Sequence, residues 1–244
     1  VSDGPEAAQE RIRTLLQLRR GGEALQMARD CLTQWPDDAE VHRLAALSAH
    51  QVEAHDDAVR HAVAALRLDP DDPAVVRTSA LVHLGADRWK EAFDLIDRAV
   101  AMDPLDAHGH LLRSNLHLTA ALHLRGTEDW YLPTARSAAH EAIRLEPDGA
   151  EGYVLLAAIA IARKDLVAAR AHALTALARD PQSTDAHQLL GRVADREGDR
   201  EAAERHYLDA GQLDPRDDRP RLLLGGVGRP GVRGFFERMR APWR

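Results

Sequence analysis

AVRHAVAALRLDP, residues 58–70, carries a small residue at Ala58, another seven positions on at Ala65, and Pro70 five beyond that. The same triplet recurs at Ala24, Cys31 and Pro36, at Ala92, Ala99 and Pro104, and at Ala135, Ala142 and Pro147. It returns at Ala169, Ala176 and Pro181 and at Ala203, Ala210 and Pro215. Successive prolines stand 34, 34, 43, 34 and 34 residues apart. Four equal periods with small side chains in constant phase mark a solenoid of stacked two-helix units.

Working outward, each proline stops a helix, because it cannot continue one and restricts the residue before it. Acidic residues after it can cap the next helix: Asp37 and Asp38, Asp71 and Asp72, Asp106, Asp148, Asp217 and Asp218. Helix pairs are expected at 6–19 with 23–34, with Gly21 and Gly22 as the break, then 39–51 with 55–68 and 73–85 with 89–102. Beyond these come 150–163 with 166–179 and 184–197 with 200–213. Gly85, Gly126 and Gly198 near the ends of first helices suit left-handed caps. Leu32, Leu66, Val100, Ile143 and Leu177 recur on the second helices and read as core.

The resulting units are 5–38, 39–72, 73–106, an enlarged 107–149, 150–183 and 184–217, followed by a basic cap or tail at 218–244. In the enlarged unit the first helix can run through Leu116, Leu118, Ala121, Leu122 and Leu124 to Gly126. Trp130, Tyr131 and Pro133 then lead into a helix at 134–146, and this protrusion is either packing or a second contact surface.

Only 4% of the residues are aromatic although 45% are apolar, which suits helices packed closely through small side chains and disfavours a sandwich or barrel. A net charge of −7 is too balanced for a general nucleic-acid binder. The lone cysteine, Cys31, takes a repeat position filled elsewhere by Ala, so it reads as a packing residue. No run of 18 apolar residues and no basic, apolar leader is found, which points to the cytoplasm. Nearly all the basic residues are Arg, the coding bias of a GC-rich bacterial genome.

This pattern resembles the tetratricopeptide repeat family, with small residues in both helices, Ala on the second, and Pro at the turn into the next unit. The sixth unit carries it most fully, in Leu190-Gly191 followed by Ala203, Tyr207, Ala210 and Pro215. The large aromatic that the family places on the first helix is replaced by Ala8, His42, Val76, His110 and His187, with Tyr153 alone aromatic. The resemblance implies an all-α, right-handed superhelical solenoid of antiparallel helix pairs whose first helices line a concave groove. It further implies a non-catalytic adaptor or scaffold that binds a partner peptide or helix there.

Carried onto this chain, the groove residues are Arg13, Arg43, Leu47, His50, Arg77, Leu81, Leu84, Leu111, Asn115, Leu118, Val154 and Ile161. Guanidinium groups with an apolar strip would suit a segment with an apolar stripe and acidic flanks. If the register is off by one, the apolar members are core packing instead. The family's carboxylate-clamping kind uses Lys and Asn, but the matching run is Arg43, Leu47, Thr78, His108 and Leu112, with Asn only at Asn115. A chaperone-tail role is therefore disfavoured.

No catalytic, cofactor or metal site is read. His140-Glu141 is followed by Arg144 where a zinc hydrolase needs His, and His110, His117 and His123 are too far apart for one ion. No phosphate loop or nucleophile elbow occurs. The tail holds eight Arg against three acids over residues 216–244. It suits a capping helix, a linker, or an anionic membrane contact through Arg233, Phe235, Phe236, Arg238 and Arg240, the last making the chain a membrane-associated assembly factor if it continues beyond residue 244. An uncovered terminal repeat would favour a homodimer.

Overall fold

The computed structural model describes residues 4–124, 126–214 and 219–224. Pro215 and the tail residues Arg233, Phe235, Phe236, Arg238 and Arg240 lie outside the described residues. Among the described residues every regular element is an α-helix and no strand occurs. The chain divides at Leu105 and Asp106 into two units.

The N-terminal unit holds α1 (Pro5–Gln17), α2 (Gly21–Gln34), α3 (Ala39–Gln51), α4 (His55–Leu68), α5 (Pro73–Gly85) and α6 (Trp89–Met102). The C-terminal unit holds α7 (Ala107–His123), α8 (Glu128–Leu145), α9 (Glu151–Ala162) and α10 (Leu166–Arg179). It continues with α11 (Thr184–Glu197), α12 (Arg200–Leu213) and α13 (Arg219–Leu224). Within each unit a helix packs on its pair partner and on the helix that follows. First helices also pack on the next first helix: α1 on α3, α3 on α5, α7 on α9, and α9 on α11. Like elements crowd together on one side of each unit, which makes the first helices its inner face.

The phased small residues are what let the pairs close. Ala24, Ala58, Ala92, Ala135, Ala169 and Ala203 are 0–1% exposed, and Cys31, Ala65, Ala99, Ala142, Ala176 and Ala210 are all buried as well. Each second helix ends alike, with the residue before the proline position donating its N–H to the carbonyl of the second small residue, as Asp69 does to Ala65 at 2.8 Å. The pre-proline residue leaves the helical conformation that proline disfavours before it, with φ −138° and ψ 83° at Asp69. Asp38, Asp72 and Asp106 cap the following helices through their side chains. Asp148 does not, and α9 starts from Ala150 without a side-chain cap. Leu32, Leu66, Val100, Ile143 and Leu177 are half-buried and flank the core rather than fill it. The large, fully buried side chains include Ile12, Leu44, Ile96, Leu116, Leu118 and Tyr207.

Three glycine and proline readings are corrected. Gly21 opens α2 instead of breaking the pair, because the turn is made by Arg19 at φ 55°. Its smallness serves a close approach: a Cβ there would meet Gln51 Oε1 at 2.7 Å. Gly85 is likewise helical, with His50 of α3 where its Cβ would stand, and Asp87 takes the left-handed conformation at φ 57°. Pro133 lies inside α8, which starts at Glu128 instead of 134. Gly198 is left-handed as expected, φ 86°, and Gly126 has φ 77°. The enlarged pair is longer in both members: α7 has 17 residues and α8 has 18, where α5 has 13 and α6 has 14.

In the last repeat, Gly191 lets the Tyr207 ring lie where a Cβ would sit 2.4 Å from it. Ala194, Ala203 and Tyr207 pack with Leu223 and Leu224 of α13, which also pairs Arg219 with Asp185 at 3.3 Å. The start of the C-terminal segment thus covers the last helix pair.

Candidate partner-binding surfaces

In the N-terminal unit, α1 and α3 bring Arg13 and Arg43 to a single carboxylate. Glu40 accepts from Arg13 at 2.7 Å, and from Arg43 Nε at 2.6 Å and Nη2 at 2.7 Å. Arg43 Nη1 also donates to Thr78 of α5 at 3.4 Å. Burial works against ionising Glu40, but the hydrogen bonds and charges of Arg43 and Arg13 outweigh it and hold the carboxyl below its ordinary range. Arg13 also pairs with Glu10 of its own helix at 3.1 Å, so the two guanidinium groups are shared between two carboxylates on the first-helix side. Leu47, Arg77, Leu81 and Leu84 are half-buried on α3 and α5, as is His50.

The expected groove residues of the C-terminal unit fare differently. Leu111 is half-buried, but Asn115, Leu118, Val154 and Ile161 are buried, at 6%, 1%, 4% and 2% exposure. Leu118 packs among Ala121, Leu132, Leu155 and Ile159, while Val154 and Ile161 pack with Ala157, Leu189 and Leu190. Here the alternative of core packing describes the side chains. Outward from them, a depression of about 490 Å³ between α7 and α8 is lined by His110, Arg113, Pro133, Thr134, Ser137, Ala138 and Glu141. Trp130 on the added turn of α8 is 80% exposed, whereas Tyr131 packs against the core with its ring 5.7 Å from that of His117.

Two features escaped the sequence reading. One is Glu40, whose only signal was its place three residues before Arg43 on one helix face. The other is pairing between histidines on facing helices. His42, in place of the family's aromatic, approaches His61 with ring centroids 5.3 Å apart and Nδ1 atoms 3.1 Å apart. His42 Nε2 lies 3.0 Å from the Pro36 carbonyl, which can only accept, so that nitrogen carries the proton and His61 Nδ1 donates to His42 Nδ1. Burial, then the neighbouring His42 and Arg60, pushes His61 down to about 4, which keeps it neutral. Among the described residues no group of side chains with the makings of a catalytic site is evident.

Comparison with known proteins bears on the fold. The family model described as tetratricopeptide repeat matches residues 10–73, 54–107 and 118–184. A thermophilic TPR protein of Thermus thermophilus superposes with a TM-score of 0.71 at 20% identity, covering 78% of this chain and 98% of that one. A tetratricopeptide repeat protein of Parabacteroides merdae gives 0.75 at 13% identity, covering 91% and 83%. The pilF protein of Pseudomonas aeruginosa gives 0.62 at 19% identity, covering 90% and 94%. No curated protein matches the chain in sequence.

Proposed function

This chain belongs to the tetratricopeptide repeat family, and we propose from that premise that it is a non-catalytic adaptor holding a segment of a partner protein. The segment lies on the first-helix face of the N-terminal unit. The observation that carries this reading is the convergence of Arg13 and Arg43 on Glu40, from which both guanidinium groups keep further N–H donors, with half-buried Leu47, Leu81 and Leu84 on the same helices α3 and α5. A carboxylate on the partner would engage the spare guanidinium capacity, bidentately where geometry allows, while the leucines supply apolar burial. The occupant is therefore a peptide or helix with an apolar stripe and acidic flanks. In the C-terminal unit, exposed Trp130 offers an anchor of the kind that dominates interfaces, and Leu111 and Tyr131 add apolar area nearer the core.

Cross-linking capture from the native host would identify the segment, and titration of that segment tests the assignment. Arg43→Glu with Arg77→Glu is expected to weaken binding at least about tenfold, since a desolvated charge pair is lost and a like charge is placed beside Glu40. Helical content measured by circular dichroism should stay unchanged. Equal affinity in wild type and variant would remove the groove from consideration.

A second reading, a membrane-associated assembly factor, rests on the basic amphipathic stretch with Arg233, Phe235, Phe236, Arg238 and Arg240. Flotation with anionic liposomes that depends on these residues would favour it over the groove. RNA binding is disfavoured by the acidic balance of the chain, with a net charge of −7.

A further inference from the structure

His42 and His61 have counterparts 145 positions further along, His187 of α11 and His206 of α12. The second pair repeats the first in its gross geometry, with ring centroids 5.8 Å apart and planes inclined by 44°, against 5.3 Å and 40°. The two differ in how their nitrogens are satisfied. In the N-terminal unit the Nδ1 atoms bond to each other. In the last repeat both Nδ1 atoms are buried and neither has a hydrogen-bond partner in the protein. A third group faces them. Asp209 follows His206 by three residues on α12, at the repeat position where the N-terminal unit has Ala64. One ring nitrogen of each histidine and one carboxylate oxygen lie within 4.8 Å of one another. His187 Nδ1 stands 3.7 Å from Asp209 Oδ2, beyond hydrogen-bond range.

We propose that His187, His206 and Asp209 form a site for a divalent transition metal, with zinc as its occupant. Two imidazoles and one carboxylate are the donors that zinc accepts, whereas magnesium and calcium take oxygen ligands almost alone. Zinc bonds of about 2.0–2.2 Å put tetrahedral ligand atoms roughly 3.3 Å apart, so the three donors need to draw together by an ångström or so. The side chains have the freedom to do this. Both imidazoles are half-buried, and Asp209 is 52% exposed and extends from the solvent side of its helix. Three protein ligands leave a fourth position, open toward solvent beside Asp209, for water or for a side chain of a bound partner. A metal held there ties α11 to α12 in the last helix pair, beside the packing of Tyr207 on Gly191. The first pair supplies its own control, since it has the same two histidines without the third ligand.

The test uses the full chain, stripped of metal and titrated with Zn²⁺ against a chromophoric chelator, with Co²⁺ as a spectroscopic substitute. Wild type is expected to take up one equivalent of zinc tightly, to show the visible absorption of bound cobalt, and to melt at a higher temperature with zinc. Asp209→Asn, a change on an exposed side chain that leaves folding intact, should weaken that equivalent about tenfold or more. His206→Ala should abolish it, and His61→Ala should leave it unchanged. A chain that takes up no zinc at micromolar concentration overturns the assignment. So does uptake that is the same in Asp209→Asn and wild type, or that falls equally in His61→Ala.

Discussion

At the scale of single residues, a buried imidazole does what burial requires of it. His61 is held neutral first by burial, then by the neighbouring His42 and Arg60, which disfavour a second positive charge there. Its folded pKa of about 4 lies below the ordinary value of 6.5. Between those values the unfolded chain binds a proton that the folded chain refuses, so stability falls as pH drops from 6.5 toward 4 and levels off below it. After allowance for partial exposure the effect amounts to roughly 1–2 kcal/mol. Melting curves between pH 4 and pH 7 should therefore show a shallower acid limb in His61→Asn than in wild type. An unchanged limb would mean that the imidazole is not held neutral. None of this was legible from the residue alone, because His42 and His61 lie on different helices and the sequence shows only that His42 replaces an aromatic.

At the scale of elements, the periodic prolines made helix ends readable, since a pre-proline residue and a capping Asp act locally. The turns inside the pairs were read correctly at Gly126 and Gly198 and misjudged at Gly21 and Gly85, which are helical. Arg19, Glu53, Asp87 and Lys164 occupy the left-handed region at φ 55–63°, while Gly126 and Gly198 meet the same turn with a glycine, at φ 77° and 86°. A side chain with a Cβ costs about 1–2 kcal/mol in that conformation. Lys164→Gly is accordingly expected to stabilise the chain by up to about 1 kcal/mol, read as a higher denaturation midpoint; a lower midpoint would contradict the strain argument. The glycines were legible as glycines but not as close approaches, because Gly21 and Gly85 are small for the sake of Gln51 and His50, more than 25 residues away. Pro133 misled because it was taken to precede the helix, whereas it stands six residues into α8, where it removes one hydrogen bond of the helix.

At the scale of the molecule, the fold was legible because it repeats, while the proposed binding surface was legible only in part. The repeat register put Arg13 and Arg43 on neighbouring first helices, where both reach Glu40, while Asn115, Leu118, Val154 and Ile161 are buried in α7 and the apolar α9. Small residues in phase remain the central claim, since they set how near the paired helices can come. Helix α10 offers a direct trial, as Ala176 is fully buried in the pair and Ala178, two positions on, is exposed. The measurement is urea denaturation of Ala176→Leu and Ala178→Leu against wild type. The account predicts a loss of about 1–3 kcal/mol for Ala176→Leu and a change within about 0.5 kcal/mol for Ala178→Leu. Equal effects at the two positions would contradict it.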